Sequence, residues 1–110
     1  ILNKIKPNLL RLMFYKESEI KRREILFSKI LPSQVEDAVR ELNGLKNVKA
    51  EKIKEKCSLT VEYNLKEHSL YDLEVFLQQK GFILDESFFN KIIRSMVYYA
   101  EEIELNNLKG

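Results

Sequence analysis

The chain has 110 residues, 45% hydrophobic and 33% charged, with six phenylalanines, five tyrosines, three glycines and two prolines, enough apolar side chain for one folded domain and too little glycine and proline for a collagen-like or low-complexity chain. Nineteen Lys and Arg against seventeen Asp and Glu leave a net charge of +2, too balanced for phosphate attraction to organise the molecule, so nucleic acid is not implied. The lone Cys57 permits no internal disulfide and fits a cytoplasmic setting, and no apolar run approaches the roughly 18 residues that a membrane span needs.

The first seven residues lack the continuous apolar stretch and small-residue cleavage site of a signal peptide. Residues 1–22 read as an extension, helical from about 7 to 15, which adds Leu9, Leu10, Met13 and Phe14 as apolar surface. Residues 24–31 read as a strand, apolar on both faces and expected to be covered on both. Residues 33–44 carry a helix signature: Ser33 as N-cap, Glu36 three residues on, Val35, Ala38, Val39 and Leu42 at helical spacing, and Gly44 as the stop. A polar strand is expected over residues 46–54, and a clearer one over 57–65, where Cys57, Leu59, Val61, Tyr63 and Leu65 alternate with polar residues. Residues 69–81 repeat the helix grammar, from Ser69 through Leu70, Leu73, Phe76 and Leu77 to Gly81. Residues 82–84 read as a last strand. Residues 87–105 read as a helix of about five turns, its stripe including Phe88, Phe89, Ile92, Ile93, Met96, Val97, Ala100 and Ile103.

This β-α-β-β-α-β order predicts an α+β, ferredoxin-like sandwich with an antiparallel sheet in the order 4-1-3-2 and both core helices on one face. Three parts follow: an extension over 1–22, the core over 23–86, and an amphipathic helix and tail over 87–110. The N-terminal segment and the C-terminal stripe are expected to supply cover for the sheet face left open by the core helices, over Leu26, Ile30 and Ile83. The alternative is a dimer or partner seam on the helix face that carries Phe89, Ile93, Met96 and Val97. Lys46, Lys49, Lys52, Lys54 and Lys56 lie along or beside the expected edge strand, where charge discourages pairing with another chain.

The run from Val35 through Glu36, Ala38, Val39, Leu42 and Gly44 to Leu45 resembles the first helix of heavy-metal-associated domains, the small modules of copper and zinc chaperones and of P-type cation-transporting ATPases. Leu59-Thr60-Val61-Glu62-Tyr63-Asn64 resembles the family's third strand, and Ser69 to Leu73 followed by Gln79-Lys80-Gly81-Phe82 its second helix and exit. The resemblance covers about residues 23–86. It implies a role connected with cation transport, through docking on a protein partner or on a membrane transporter. The family holds its metal with two thiolates between the first strand and helix. Here those positions fall near Ser28 and Leu31, and residues 28–34 contain no cysteine, histidine or methionine, so no bound metal or cofactor is expected. What the resemblance leaves is a regulatory or protein-interaction module, with Lys29, Gln34, Asp37 and Lys80 on the rim that such domains use to dock.

Cys57 is expected to be a small core residue, His68 an ordinary turn histidine, and Met13 and Met96 members of apolar stripes. Glu101, Glu102 and Glu104 read as a solvated helix face. No nucleophile with a sequence-adjacent base and no glycine-rich phosphate loop is seen, so the domain is not read as an enzyme. RNA-recognition modules share the expected topology, but Thr60 and Glu62 stand where bases would stack, which disfavours RNA.

Overall fold

The computed structural model describes residues 19–109, so the expected helix over 7–15, with Met13, lies outside the described residues. The elements are β1 (Ile20–Leu26), α1 (Gln34–Asn43), β2 (Lys49–Lys52), β3 (Ser58–Asn64), α2 (Leu70–Gln79) and α3 (Phe88–Lys109). They form an α+β domain with a three-stranded antiparallel sheet in the order β1-β3-β2. Among the described residues, no helix is long and apolar enough to cross a membrane.

The strict alternation of β3 puts Leu59, Val61 and Tyr63 on one face, each at most 1% exposed. The register sets Ile25 opposite Leu59, Arg23 opposite Val61 and Lys21 opposite Tyr63, so β1 sends two cations and one isoleucine to that same face. The α1 stripe of Val35, Ala38 and Leu42 and the α2 stripe of Leu70, Leu73 and Leu77 close over it with Phe27 and Leu84 in one buried cluster. Arg22, Glu62, Thr60, Lys49 and Glu51 occupy the other face, which no described helix covers.

The helix ends explain where the chain turns. Ser69 accepts a hydrogen bond from the Asp72 amide at 3.1 Å, as its N-cap role predicts. Gly81 takes φ +94 while the amides of Gly81 and Phe82 bond back to Gln78 and Leu77, a Schellman ending that needs a residue free to be left-handed. Ser33 flanks α1 but makes no side-chain cap bond, because it is already helical at φ −67 and the first amides bond to Leu31 and Pro32. Gly44 is also right-handed, at φ −76, and the left-handed residue falls on Asn47.

Three expectations are corrected. The first strand begins at Ile20 and ends at Leu26, four to five residues before the expected 24–31, because the inward cations Lys21 and Arg23 are neutralised by carboxylates of α3 and the strand can therefore run through polar sequence. Leu26, Ile30 and Ile83 stay exposed, and Ser28 to Leu31 form a turn. The last strand is reduced to a single antiparallel bridge, Phe27 with Leu84. Gln34 explains the reduction: its side-chain amide donates to the Ile83 carbonyl at 2.8 Å and accepts from the Ile83 amide at 2.9 Å, taking the place of a neighbouring strand. Finally, α3 does not cover the open sheet face. Its contacts with Arg23 and Tyr63 place it on the same face as α1 and α2, next to α2.

Candidate functional site: the outer face of the last helix

The last helix is attached by its polar side. Arg94, Tyr98, Glu101 and Glu104 recur every three or four residues and so share one stripe. Glu101 is 2% exposed and its carboxylate is fully engaged: Oε2 accepts from the Tyr63 hydroxyl at 2.5 Å and from Arg23 Nε at 3.2 Å, and Oε1 accepts from the Leu70 amide at 2.8 Å. Leu70 opens α2, so this carboxylate satisfies an orphan amide at the positive end of a helix dipole. Lys21 Nζ joins Glu104 Oε1 at 2.8 Å on the next turn. Burial and then the bond to Glu101 push the Tyr63 hydroxyl far above an ordinary tyrosine, so it stays a donor. Burial opposes the charge of Arg23, yet its contacts with Tyr63 and Glu101 hold the guanidinium above its usual value.

A second carboxylate repeats the device. Glu74 of α2 is 2% exposed and accepts from Arg94 Nε at 2.9 Å and from the Tyr98 hydroxyl. Arg94 also reaches Glu86 at 2.9 Å, bridging the start of α3 to α2. Burial raises the Glu74 carboxyl above the ordinary 4.5, against the lowering effect of Tyr98 and Arg94. Tyr98, desolvated and bonded to Glu74, is pushed up to about 12. Both clusters tie elements together, the first joining α3 to β1, β3 and α2 and the second joining α3 to α2. Among the described residues, no group of three His, Cys, Asp or Glu side chains gathers to hold a metal.

With the polar stripe turned inward, the apolar one is turned out. Phe89, Ile92, Met96, Tyr99 and Ile103 follow each other at spacings of three and four and lie opposite Arg94 and Glu101 on the helix. They are 74%, 41%, 66%, 67% and 43% exposed. Phe88 and Ile93 widen the strip, and a shallow groove runs along Phe88, Lys91, Ile92, Ser95, Met96 and Tyr99. Single exposed apolar side chains are ordinary on a protein surface, and a continuous row of this length on one helix face is not.

The expected site residues are dispersed. Phe89, Ile93 and Met96 do lie on this outer surface, but Val97 packs half-buried against the core beside Tyr98. Gln34 is 4% exposed and holds Ile83, so it is no rim residue; a polar residue at the start of an amphipathic helix looks solvated until its backbone partner is known. Lys29 is exposed in the loop, Asp37 pairs with Arg40, and Lys80 reaches Glu41 at 3.1 Å and lies over the Phe76 ring. Cys57 is only half-buried, just before β3, with Sγ 3.4 Å from the Ser28 carbonyl. His68 is half-buried, with Nε2 3.3 Å from the Lys46 carbonyl. Met96 is largely exposed, and Glu101 and Glu104, expected in a solvated row, are the helix's anchors.

Glu74 and Glu101 are the anchoring side chains that sequence reasoning missed. A signal existed: Lys21 and Arg23 share the parity of Ile25, and Tyr63 sits within a core alternation, so two half-buried cations and a buried hydroxyl on one face called for a carboxylate. Compared with protein-family models, with curated proteins and with solved structures, the chain matches none of them.

Proposed function

We propose that this domain is a non-catalytic protein-interaction module whose working surface is the outer face of α3. The observation that carries the reading is the orientation of that helix. Buried ion pairs through Glu101 and Glu74 fix its polar stripe inward and commit Phe89, Ile92, Met96, Tyr99 and Ile103 to the outside. A helix held only by apolar burial would turn the other way. The face fits an apolar, helix-sized element, in the manner of an amphipathic helix in a groove.

The test replaces Ile92 and Met96 together by serine in the full chain. Substitutions at idle exposed positions change stability by only about 0.5 kcal/mol. Where the face is covered within the chain or by a second copy, the pair of serines lowers the unfolding midpoint or dissociates the assembly in sedimentation. Where it awaits a different protein, the wild type binds anilinonaphthalene sulfonate and the double variant does not. Unchanged stability, mass and dye binding together refute the reading.

A second reading is a heavy-metal-associated-type domain of cation transport that has lost its thiolate pair and acts by docking on a transporter. The Phe27 to Leu84 bridge supports it, since a strand beside β1 would extend the order β1-β3-β2 to the 4-1-3-2 of a ferredoxin-like sandwich. A chelator-competition titration of the reduced protein with Cu(I) and Zn(II) tests its metal side. The reading expects no competition, and tight one-to-one binding would overturn the loss of the site.

A further inference from the structure

We propose that the outer face of α3 packs against the same face of a second copy of this chain, the two helices antiparallel about a two-fold axis at Met96; this rests on the reading of that face as a docking surface. The spacing suits a partner of the same kind. Phe89, Ile92, Met96, Tyr99 and Ile103 recur at intervals of three, four, three and four residues, the alternation from which the seam of a two-helix coiled coil is built. Arg94 and Glu101 stand one heptad apart on the opposite side, so their ion pairs hold the whole row outward together. The helix is therefore ordered before it associates, which removes one of the usual costs of binding.

The area is sufficient. With Phe88 and Ile93 included, the face leaves in solvent the equivalent of about four whole large apolar side chains, roughly 800 Å² at about 200 Å² each. A stable interface of standard size takes about 800 Å² from each partner. Ser95 and Ala100, on either flank of the seam near its middle, are small enough to let two backbones approach.

Charge selects the orientation. Lys91 and Glu102 are both exposed and lie eleven residues apart, about three turns, so they share one flank of the apolar row. In an antiparallel pair each flank meets its own copy, and an axis at Met96, the middle of the row from Phe89 to Ile103, brings Lys91 of each chain level with Glu102 of the other to within about one residue. Two-fold symmetry makes that contact twice, and the helix dipoles oppose. A parallel pair would instead set this flank against Ile93 and Ala100.

The experiment combines sedimentation of the full chain at tens of micromolar with disulfide trapping in a Cys57→Ser background. The wild type is expected at twice its formula mass, and the Ile92 and Met96 serine pair as a monomer. Met96→Cys, at the axis, is expected to cross-link to itself at least about tenfold faster than Ile103→Cys, whose two copies stand roughly 20 Å apart in the antiparallel pair. Ile103→Cys mixed with Phe89→Cys links across chains. Deleting a rim charge changes little, whereas Lys91→Glu sets like charges together and weakens the dimer roughly fivefold or more, and adding Glu102→Lys restores it. Ile103→Cys linking to itself as fast as Met96→Cys overturns the arrangement in favour of a parallel pair. A monomeric wild type also overturns the proposal: if it binds anilinonaphthalene sulfonate and the serine pair does not, the face remains a docking surface for another protein, and if the serine pair lowers its unfolding midpoint, the face is covered within the chain. A dimer that survives the serine pair, with no Met96→Cys link and no change in stability or dye binding, overturns both the proposal and the reading it rests on.

Discussion

Glu101 is the side chain on which the arrangement of α3 depends most directly. Glu101→Ala removes at one stroke the acceptor of the Tyr63 hydroxyl, the Arg23 guanidinium and the Leu70 amide. Breaking a buried ion pair by deleting one partner costs about 3–5 kcal/mol. Arg23 keeps 30% of its side chain in solvent and recovers part of its hydration, which draws the ionic share toward the low end or below it. The orphaned Leu70 amide adds about 1–3 kcal/mol on its own account. The expected loss is therefore about 3–5 kcal/mol in all, a large part of the 5–15 kcal/mol that holds a domain of this size together. At roughly 4–8 °C per kcal/mol, the melting temperature falls by at least about 12 °C. Glu101→Gln retains one carbonyl acceptor and loses the charge, so it falls between wild type and alanine. Urea and thermal unfolding followed by circular dichroism measure the loss. Hydrogen exchange adds a local readout, with the amides of α3 and of the first turn of α2 losing protection together. Glu102→Ala, one residue along and exposed, is the control and is expected within about 0.5 kcal/mol of wild type. Equal effects of the two alanines would falsify the account of α3 as a helix held by its polar side.

Three further outcomes follow from the same structure. Glu74 has its carboxyl raised by burial, so the folded state prefers it protonated: its contribution is fully present below pH 4.5 and is lost as pH rises through the raised value. The stability of wild type relative to Glu74→Gln, taken from urea unfolding at a series of pH values, is expected to decline across the window just above 4.5, and a rise there contradicts the burial argument. Gln34→Ala deprives the Ile83 amide of its partner while the Ile83 carbonyl keeps the Ser28 amide at 2.9 Å, so the loss is about 1–3 kcal/mol, and exchange at Ile83 should accelerate ahead of exchange in β3. Gly81→Ala meets no atom within 4 Å, so its cost is backbone strain alone at φ +94, roughly 1–2 kcal/mol in chemical denaturation; a neutral result would mean that the end of α2 relaxes.

The helices α1 and α2 and the strand β3 were legible in the sequence because each carries an unbroken period, 3.6 or 2, with its stops in place. The beginning of β1 was not, since Lys21 and Arg23 read as solvated until Glu104 and Glu101 are known to face them from some eighty residues away. The last helix was legible as a helix and illegible in its orientation. Its sequence holds two stripes, one apolar and one of Arg94, Tyr98 and Glu101, and burial of the apolar one is the default expectation. Glu101 and Glu102 are identical in local pattern, and only the place of Tyr63 and of the α2 N-terminus distinguishes them. Gln34 and the shortened last strand belong to one misreading, because a side chain that imitates a strand leaves no trace in hydropathy.

The two ends of α1 make matching clips. Gln34 grips the backbone of Ile83 at one side of the sheet, and Asn43 does the same to Ala50 at the other, donating to its carbonyl at 3.0 Å and accepting from its amide at 2.7 Å. Ala50 belongs to the outermost strand, so part of the edge where a foreign strand would zip on is already occupied by a carboxamide. One ten-residue helix thus holds backbone at both of its ends, the segment after α2 at one and the outermost strand β2 at the other. Strand addition at β2 therefore meets a carboxamide at Ala50, where the incoming chain would have to pair.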